Sequence, residues 1–388
     1  MLTAEQRAIV QSTVPLLEAG GEALITHFYQ RLLGENPEVS ALFNSTHQQS
    51  GAQPRALAFS VLMYAKHIDR LENLGQLPAQ IINKHVSLQV QPEHYPVVGR
   101  YLLSSIREVL GAEIATDAVI AAWAAAYQQL ADILIGAEAQ AYERNASVPG
   151  GWRGARAFRV ARKQLESSEI TSFHLAPVDG GAVMDHLPGQ FIGLRIVVDG
   201  KEQQRNYSLS ALADGRELRI SVKREAHGVV SRHLHDAVQV GDVLDIFPPS
   251  GQFTLADSDR PLVLISAGVG VTPMLAMLAS ALGTPRPVVF IHCARTPAVQ
   301  GFRAQLDALA LKHPQLQCHY CYDAGEGIAA RRIGAELLAD WLPQSRDVDA
   351  YFCGPQPFMA AVLHALRALG VPAAQTHYEF FGPSQALQ

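Results

Sequence analysis

Along residues 1 to about 146, apolar side chains recur at helical spacing. The stripes are Leu24, Phe28 and Leu32; Leu57, Val61, Ala65 and Ile68; Val98, Leu102, Ile106 and Val109; and Val119, Trp123, Tyr127, Leu130 and Leu134. Positions three and four apart share one helix face, so this segment reads as all helix. Breaks are expected at Gly20-Gly21, Asn36-Pro37, Leu77-Pro78 and Gln91-Pro92. The run Asn145-Ala146-Ser147-Val148-Pro149-Gly150-Gly151 reads as a linker, and after Trp152 the period changes to two. Residues 157–160, 170–175, 191–196 and 218–222 are expected strands between Gly, Asp and Pro turns. Closely spaced strands with few helices predict a small antiparallel β-barrel. From about Arg260 strand and helix alternate: strands at 262–266, 287–293, 317–322 and 350–353, with helices from Pro273, from Gln300 and after the last strand. That order predicts a doubly wound parallel α/β sheet. The expected domains are therefore 1–146, 147–259 and 260–388.

Composition narrows the function classes. The chain has 388 residues, 48% of them hydrophobic, enough for several cores. Its net charge of −5 falls in the first 146 residues, which hold 9 Lys and Arg against 14 Asp and Glu. No basic nucleic-acid footprint is present. No apolar run is expected to span a bilayer. Thr3 and Gln6 form a capping-box pattern rather than a signal peptide. With four cysteines and no export signal, a reduced, cytoplasmic setting is expected. Cys318-His319-Tyr320-Cys321 has redox-motif spacing, but it lies in an alternating strand that puts the two thiols on opposite faces.

The helical segment carries the first candidate chemistry. Pro78 stands at a plausible first helical position, and Ile81, Ile82, His85 and Leu88 then share a face. His85 points into an apolar interior. Such a histidine is more often a satisfied core residue than a metal ligand. The stripe Leu130, Leu134, Glu138 and Ala141 carries Glu138 inward, where a carboxylate is costly unless paired. The N–H of a metal-bound histidine is a fitting partner, because such a contact fixes the tautomer. A rolled helix that solvates Glu138 is the competing reading. Tyr29 shares a face with Ile25 and Leu32, so its hydroxyl needs a partner. Phe43 follows the Asn36-Pro37 break, Gln53 precedes Pro54 at the head of the next helix, and Leu57 lies one turn on. On spacing alone Tyr29 and Leu57 read as core.

The remaining motifs follow in order. Arg205-Asn206-Tyr207-Ser208 resembles the R-x-Y-S signature of ferredoxin-reductase-like flavoproteins, which implies that Arg205 can pair with the pyrophosphate, Tyr207 can lie against the flavin ring and Ser208 can bond its reactive edge. Pro188-Gly189-Gln190-Phe191 precedes this site. Lys223-Arg224-Glu225 and Gly228-Val229-Val230-Ser231 offer backbone N–H groups and a hydroxyl to phosphate. Gly268-Val269-Gly270-Val271-Thr272-Pro273 follows a strand and opens a helix, the setting for a dinucleotide phosphate. It is not the Rossmann G-x-G-x-x-G, and Ala294-Arg295 stands where an acidic residue would end the next strand. Cys353-Gly354-Pro355 follows the last apolar strand, and Tyr378-Glu379-Phe380-Phe381-Gly382-Pro383 lies near the C-terminus.

Taken together, His27-Phe28-Tyr29-Gln30-Arg31-Leu32, Phe43, Gln53, Leu57, Lys84-His85 and Tyr95 resemble the globin domain of bacterial flavohaemoglobins. The later motifs resemble the ferredoxin-reductase-like half of the same family, so the resemblance covers essentially the whole chain. It implies an all-α globin domain followed by an antiparallel β-barrel FAD domain and an α/β NAD(P)-binding domain. It implies haem b with its iron on His85, and Tyr95 and Glu138 hydrogen-bonded around that ligand. Tyr29, Gln53 and Leu57 fall on the distal side and Phe43 on the porphyrin. FAD falls to Gln190, Arg205, Tyr207, Ser208, Lys223, Glu225, Gly228, Val229, Val230 and Ser231, with Phe381 covering the flavin. NADH or NADPH falls to the Gly268–Pro273 turn and to Cys353, Gly354 and Pro355. Arg295 leaves NADPH use open, while the resemblance favours NADH. The implied activity is NAD(P)H-dependent oxidation of nitric oxide by O2 to nitrate, in a monomer with no nucleic-acid partner and no membrane insertion. A lipid or azole-type ligand in the distal pocket stays open. Two alternatives remain: an oxygen-binding or gas-sensing globin with a reset reductase, and an NADH-dependent flavin or ferric reductase.

Overall fold

The computed structural model of the protein describes residues 2–36, 52–323 and 332–382. The chain divides into two compact units, one of residues 1–147 with 201–204, the other of 148–200 with 205–388.

The first unit is helical. Its elements are α1 (Ala4–Ser12), α2 (Val14–Glu35), α3 (Ala52–Lys66), α4 (Leu77–Ser87), α5 (His94–Leu110) and α6 (Asp117–Ser147). The capping box at the start of α1 is formed: Thr3 Oγ1 accepts from Gln6 N at 3.1 Å, and Gln6 Oε1 accepts from Thr3 N at 2.9 Å. Leu24, Ile25, Phe28 and Leu32 of α2 pack with Tyr64 and Ala65 of α3, Leu102 and Ile106 of α5, and Trp123 and Ala126 of α6. Each fully buried Leu, Ile or Phe side chain stabilises the fold by roughly 1.5–3 kcal/mol.

Two expectations need correction. Gly20-Gly21 does not break the chain, since α2 runs through it from Val14 to Glu35. A mid-helix glycine costs only about 1 kcal/mol, and the buried stripe of α2 outweighs that. The break falls instead at Thr13, just before Pro15 in the first turn of α2. In addition, α6 is by length and composition apolar enough to cross a membrane. Here it serves as a core helix, with Trp123, Ala126, Ala131 and Leu134 buried along with Glu138.

The second unit holds two sheets. The first comprises β1 (Arg156–Leu165), β2 (Ile170–Pro177), β3 (Phe191–Val198), β4 (Lys201–Ser208), β5 (Leu218–Lys223) and β6 (Val243–Ile246), with helix α7 (Val229–Asp236) between the last two. Its strand order is β4-β3-β6-β1-β2-β5. The pairs β1–β2, β1–β6, β2–β5 and β3–β6 are antiparallel. A bridge between Leu209, just past β4, and Ile220 of β5 joins the two edges and curls the sheet toward a barrel. Asp199 and Gly200, with φ of 51° and 73°, make the tight turn between β3 and β4.

The second sheet comprises β7 (Leu262–Ala267), β8 (Val288–Ala294), β9 (Leu316–Tyr322), β10 (Asp349–Cys353) and β11 (Thr376–Tyr378), in the order β11-β10-β7-β8-β9. Every pair in it is parallel. Helices α8 (Val271–Ala281) and α9 (Arg303–Lys312) supply Met274, Leu278 and Leu306 to one face. Helices α10 (Ala335–Trp341) and α11 (Gln356–Ala368) supply Leu338, Met359 and Val362 to the other. This is the doubly wound arrangement, whose ligands bind beyond the carboxyl ends of the strands.

Candidate functional site

The helical site begins with the last turn of α4. His85 Nδ1 lies 2.7 Å from Glu138 Oε1 and 3.0 Å from the Tyr95 hydroxyl. The Tyr95 hydroxyl donates to the same Glu138 oxygen at 2.6 Å. Burial and the neighbouring Glu138 push the Tyr95 phenol up, which keeps its proton in place. Nδ1 faces an acceptor and therefore carries the ring proton, leaving the Nε2 lone pair free to ligate. Glu138 is only 2% exposed, so the helix does not roll to solvate it. The His85 side chain keeps 31% exposure. Among the described residues, no group of three or more His, Cys, Asp or Glu is placed to hold a metal ion. A single half-buried imidazole with a braced far nitrogen fits a metal that brings its other ligands with it, as haem iron does.

Two further tyrosines of α6 complete this brace, and the sequence reading took neither as functional. Tyr142, one turn beyond Glu138, donates to the Val90 carbonyl at 2.8 Å and reaches the His85 carbonyl at 3.5 Å. Tyr127 donates to the Tyr95 carbonyl at 2.7 Å. Tyr127 reads as an ordinary core aromatic in its helical stripe, and nothing in the sequence pattern singles out Tyr142.

On α2, Tyr29 is buried and hydrogen-bonded to Gln53, and burial raises its phenol. Gln53 and Pro54 lie in the first turn of α3, so the proline starts the helix without removing a needed donor. Leu57, one turn on, packs on the edge of the same core. Phe43 lies outside the described residues.

In the barrel, Arg205, Tyr207 and Ser208 fall at the end of β4. Burial lowers the Arg205 guanidinium and raises the Tyr207 phenol, as expected of groups set in a partly dry cleft. Gln190 is tied to this strand through Leu209 N to its carbonyl at 2.9 Å, and its Oε1 accepts from Leu187 N at 2.9 Å. The second segment lies at the head of α7. Glu225 N donates to Ser231 Oγ at 3.2 Å, and Lys223 Nζ bonds Glu225 at 2.8 Å. Gly228 caps α7 without a side-chain hydrogen bond, so the first amides, around Val229 and Val230, suit a phosphate. Lys163 braces the other end of α7, donating to the carbonyls of Leu234, His235 and Val238 at 3.3, 3.1 and 2.6 Å.

In the parallel sheet, a 3-10 turn at Gly268–Gly270 leads into α8, placing Val271, Thr272 and Pro273 in its first turn. Thr272 Oγ1 closes the turn onto the Val269 carbonyl at 3.0 Å. A Cβ on Gly270 would collide with the Cys353 carbonyl, so glycine is what lets this turn meet the Cys353-Gly354-Pro355 loop. The two motifs thus share one end of the sheet. Cys353 is fully buried with its thiol pushed up, hence neutral. Cys318 and Cys321 do point to opposite faces: Cys318 joins the α8–α9 side, while Cys321 contacts Cys293, which belongs to the other. Phe381 is 48% exposed, and Pro383 lies outside the described residues.

A braced imidazole on a helical unit, followed by a curled antiparallel sheet and a doubly wound parallel sheet, is the arrangement of a globin joined to a flavin- and nicotinamide-dependent reductase. Three family models match in that order: Globin over residues 26–134, Oxidoreductase FAD-binding domain over 157–255, and Oxidoreductase NAD-binding domain over 264–364. The chain is 64% identical to a flavohemoprotein of Pseudomonas putida and 62% identical to one of Pseudomonas aeruginosa, each over 100% of both chains. Among solved structures it is similar to a flavohemoglobin from Malassezia yamatoensis with bound FAD and heme, with a TM-score of 0.85 and 27% identity over 98% of this chain and 100% of that one. The chain belongs to the flavohemoprotein family. It is an oxidoreductase, and its cofactors are haem, FAD and a nicotinamide dinucleotide.

Proposed function

We propose that the chain is a nitric oxide dioxygenase, which uses NAD(P)H to convert nitric oxide and O2 to nitrate. The observation that carries this reading is the His85–Glu138–Tyr95 constellation on the same chain as a complete reductase. When bound, haem supplies the site of gas chemistry, and FAD mediates between a two-electron donor and a one-electron acceptor. The balance is two nitric oxide and two O2 with one NAD(P)H, giving two nitrate, one NAD(P)+ and one proton.

The residues have separable tasks. Glu138 takes the Nδ1–H of His85 and so aims Nε2 at the metal. A carboxylate there would raise the basicity of His85 as a ligand and so favour electron-poor iron in a bound haem. Buried Tyr29 and half-buried Gln53 form a hydrogen-bonded pair that can stabilise negative charge developing on a gas ligand. Leu57 supplies an apolar wall beside them. Arg205 and the head of α7 would hold the flavin pyrophosphate, while Tyr207, Ser208 and Phe381 would bind its ring. The Gly268–Pro273 turn with Cys353, Gly354 and Pro355 seats the dinucleotide. The substrate draws support from a further relative, the FAD/NAD-binding domain of a nitric oxide dioxygenase from Vibrio cholerae. That domain is 41% identical over 60% of this chain and all of its own length, with a TM-score of 0.55.

The test is nitric oxide consumption at an electrode, using haem- and FAD-loaded protein, NADH and air, with nitrate quantified. Fast consumption that needs both NADH and O2, with nitrate as product, is expected. A flavin that NADH reduces while nitric oxide persists would overturn the assignment.

A further inference from the structure

The dinucleotide site contains an ion pair that the family motifs do not specify. In doubly wound sheets an acidic residue at the end of the second strand commonly reads the ribose 2′-hydroxyl, whereas an arginine there accommodates a 2′-phosphate. Here that strand is β8, and it ends in Ala294-Arg295. On its own sheet, Arg295 therefore presents the group that welcomes a 2′-phosphate. In the folded chain its guanidinium is hydrogen-bonded to Glu169, a residue 126 positions away.

Glu169 belongs to the turn between β1 and β2, and that turn is fixed. Ser168 donates to the Ala298 carbonyl through its amide at 3.2 Å and its hydroxyl at 3.1 Å, pinning the turn just beyond Arg295. Arg224 N donates to the Glu169 carbonyl at 2.8 Å, and the amides of Glu166 and Ser167 bond the Ile170 carbonyl at 2.9 and 3.2 Å. Glu169 is 28% exposed and Arg295 is 62% exposed, so ligand can reach the arginine. Asp323, which follows β9, and Glu225 add negative charge around the same guanidinium.

We propose that Glu169 is a specificity-determining residue: it occupies Arg295 and supplies, from the barrel, the carboxylate that the end of β8 lacks. A 2′-phosphate must displace the Glu169 carboxylate and then sit beside it. A 2′-hydroxyl can hydrogen-bond to it. The pair thereby rejects NADPH and favours NADH at a strand end whose sequence favours the opposite. This assignment rests on the dinucleotide-binding part of the function proposed above and not on the gas substrate.

The experiment is anaerobic reduction of the flavin in holoenzyme, followed by its absorbance, with NADH and NADPH in turn. It is paired with calorimetric titration of 2′,5′-ADP against 5′-ADP. Removing one negative charge within a few ångströms of a phosphate carrying about two is worth about tenfold. Glu169→Gln is expected to raise the NADPH-to-NADH ratio of kcat/KM about tenfold and to tighten 2′,5′-ADP by a similar factor. Glu169→Lys is expected to raise both further. Adding Arg295→Ala to Glu169→Gln is expected to cancel the gain. A ratio within twofold of wild type in both Glu169 variants, with unchanged 2′,5′-ADP affinity, would overturn the proposal. Flavin reduction needs no nitric oxide, so a protein that bleaches its flavin yet leaves nitric oxide untouched refutes the function above and leaves this assignment intact.

Discussion

Replacing Glu138 by Gln isolates the charge of the brace from its geometry. Both donors, the Tyr95 hydroxyl at 2.6 Å and His85 Nδ1 at 2.7 Å, converge on the same oxygen, Oε1. An amide oxygen placed there can accept both, so Glu138→Gln loses charge and little else. Hydrogen bonds to a charged group are worth about 1.5–3 kcal/mol, roughly twice the neutral value. Halving two of them costs about 2 kcal/mol, or about thirtyfold in affinity. That agrees with the 10- to 100-fold cost typical of losing a partner of a metal-bound histidine. Glu138→Ala also deletes the acceptor and leaves the buried Tyr95 hydroxyl without it, which adds about 1–3 kcal/mol. Haem transfer to a scavenging apoglobin measures affinity, and spectroelectrochemistry measures the iron potential. Haem release is expected to accelerate in the order wild type, Gln, Ala. The potential is expected to rise in both variants, because the electron-poor ferric iron loses its support. If haem release in the Gln variant stays within twofold of wild type and the potential does not move, the carboxylate is only a structural anchor and the reasoning fails.

Three other outcomes follow from the same geometry. Tyr142→Phe strands the Val90 carbonyl and costs about 1 kcal/mol, so haem release should quicken severalfold and the iron–histidine stretching band should broaden; an unchanged Raman band would show that the brace does not need it. Gly270→Ala drives a methyl into the Cys353 carbonyl, and overpacking of about 1–3 kcal/mol should slow flavin reduction by NADH about 10- to 100-fold in stopped flow; unaltered kinetics would separate the turn from the dinucleotide. Burial of His292 lowers its pKa from 6.5 to about 4, so between these values the unfolded chain binds a proton that the native sheet refuses; the stability this histidine confers is full above pH 6.5 and declines by roughly 3 kcal/mol as pH falls to about 4, and hydrogen exchange in β8 peptides should show that slope in wild type and lose it in His292→Leu.

What could be read from the chain depended on whether a residue's partner lay within the reach of a periodic pattern. The stripes of α2, α5 and α6 and the apolar strands β7, β8 and β10 announce themselves, because burial on one or both faces dictates their composition. His85 and Glu138 were visible as inward polar residues on separate helices, and only the fold brings them within 2.7 Å. Strand β4, Lys-Glu-Gln-Gln-Arg-Asn-Tyr-Ser, carries no apolar alternation, and of its side chains only Gln204 and Ser208 are buried. It was legible as a motif and silent as a strand. Gly20-Gly21 misled because local propensity says break, whereas tertiary packing holds α2 straight through. Glu169 could not have been found, since nothing local in a turn between two strands says which strand end it will meet.

The bridge between Leu209 and Ile220 joins the first and last strands of the barrel sheet directly beside Arg205, Tyr207 and Ser208. The residues proposed to bind flavin therefore stand on the seam of the barrel. A ligand that recognises only the zipped seam adds its binding free energy to folding, about 4 kcal/mol at a thousandfold excess over its dissociation constant. Starved of flavin, newly made chain would carry an open sheet with two unpaired margins, the kind of edge that recruits other strands and aggregates. With flavin bound at that seam, cofactor supply would set how much of the chain accumulates folded, as well as how fast it turns over.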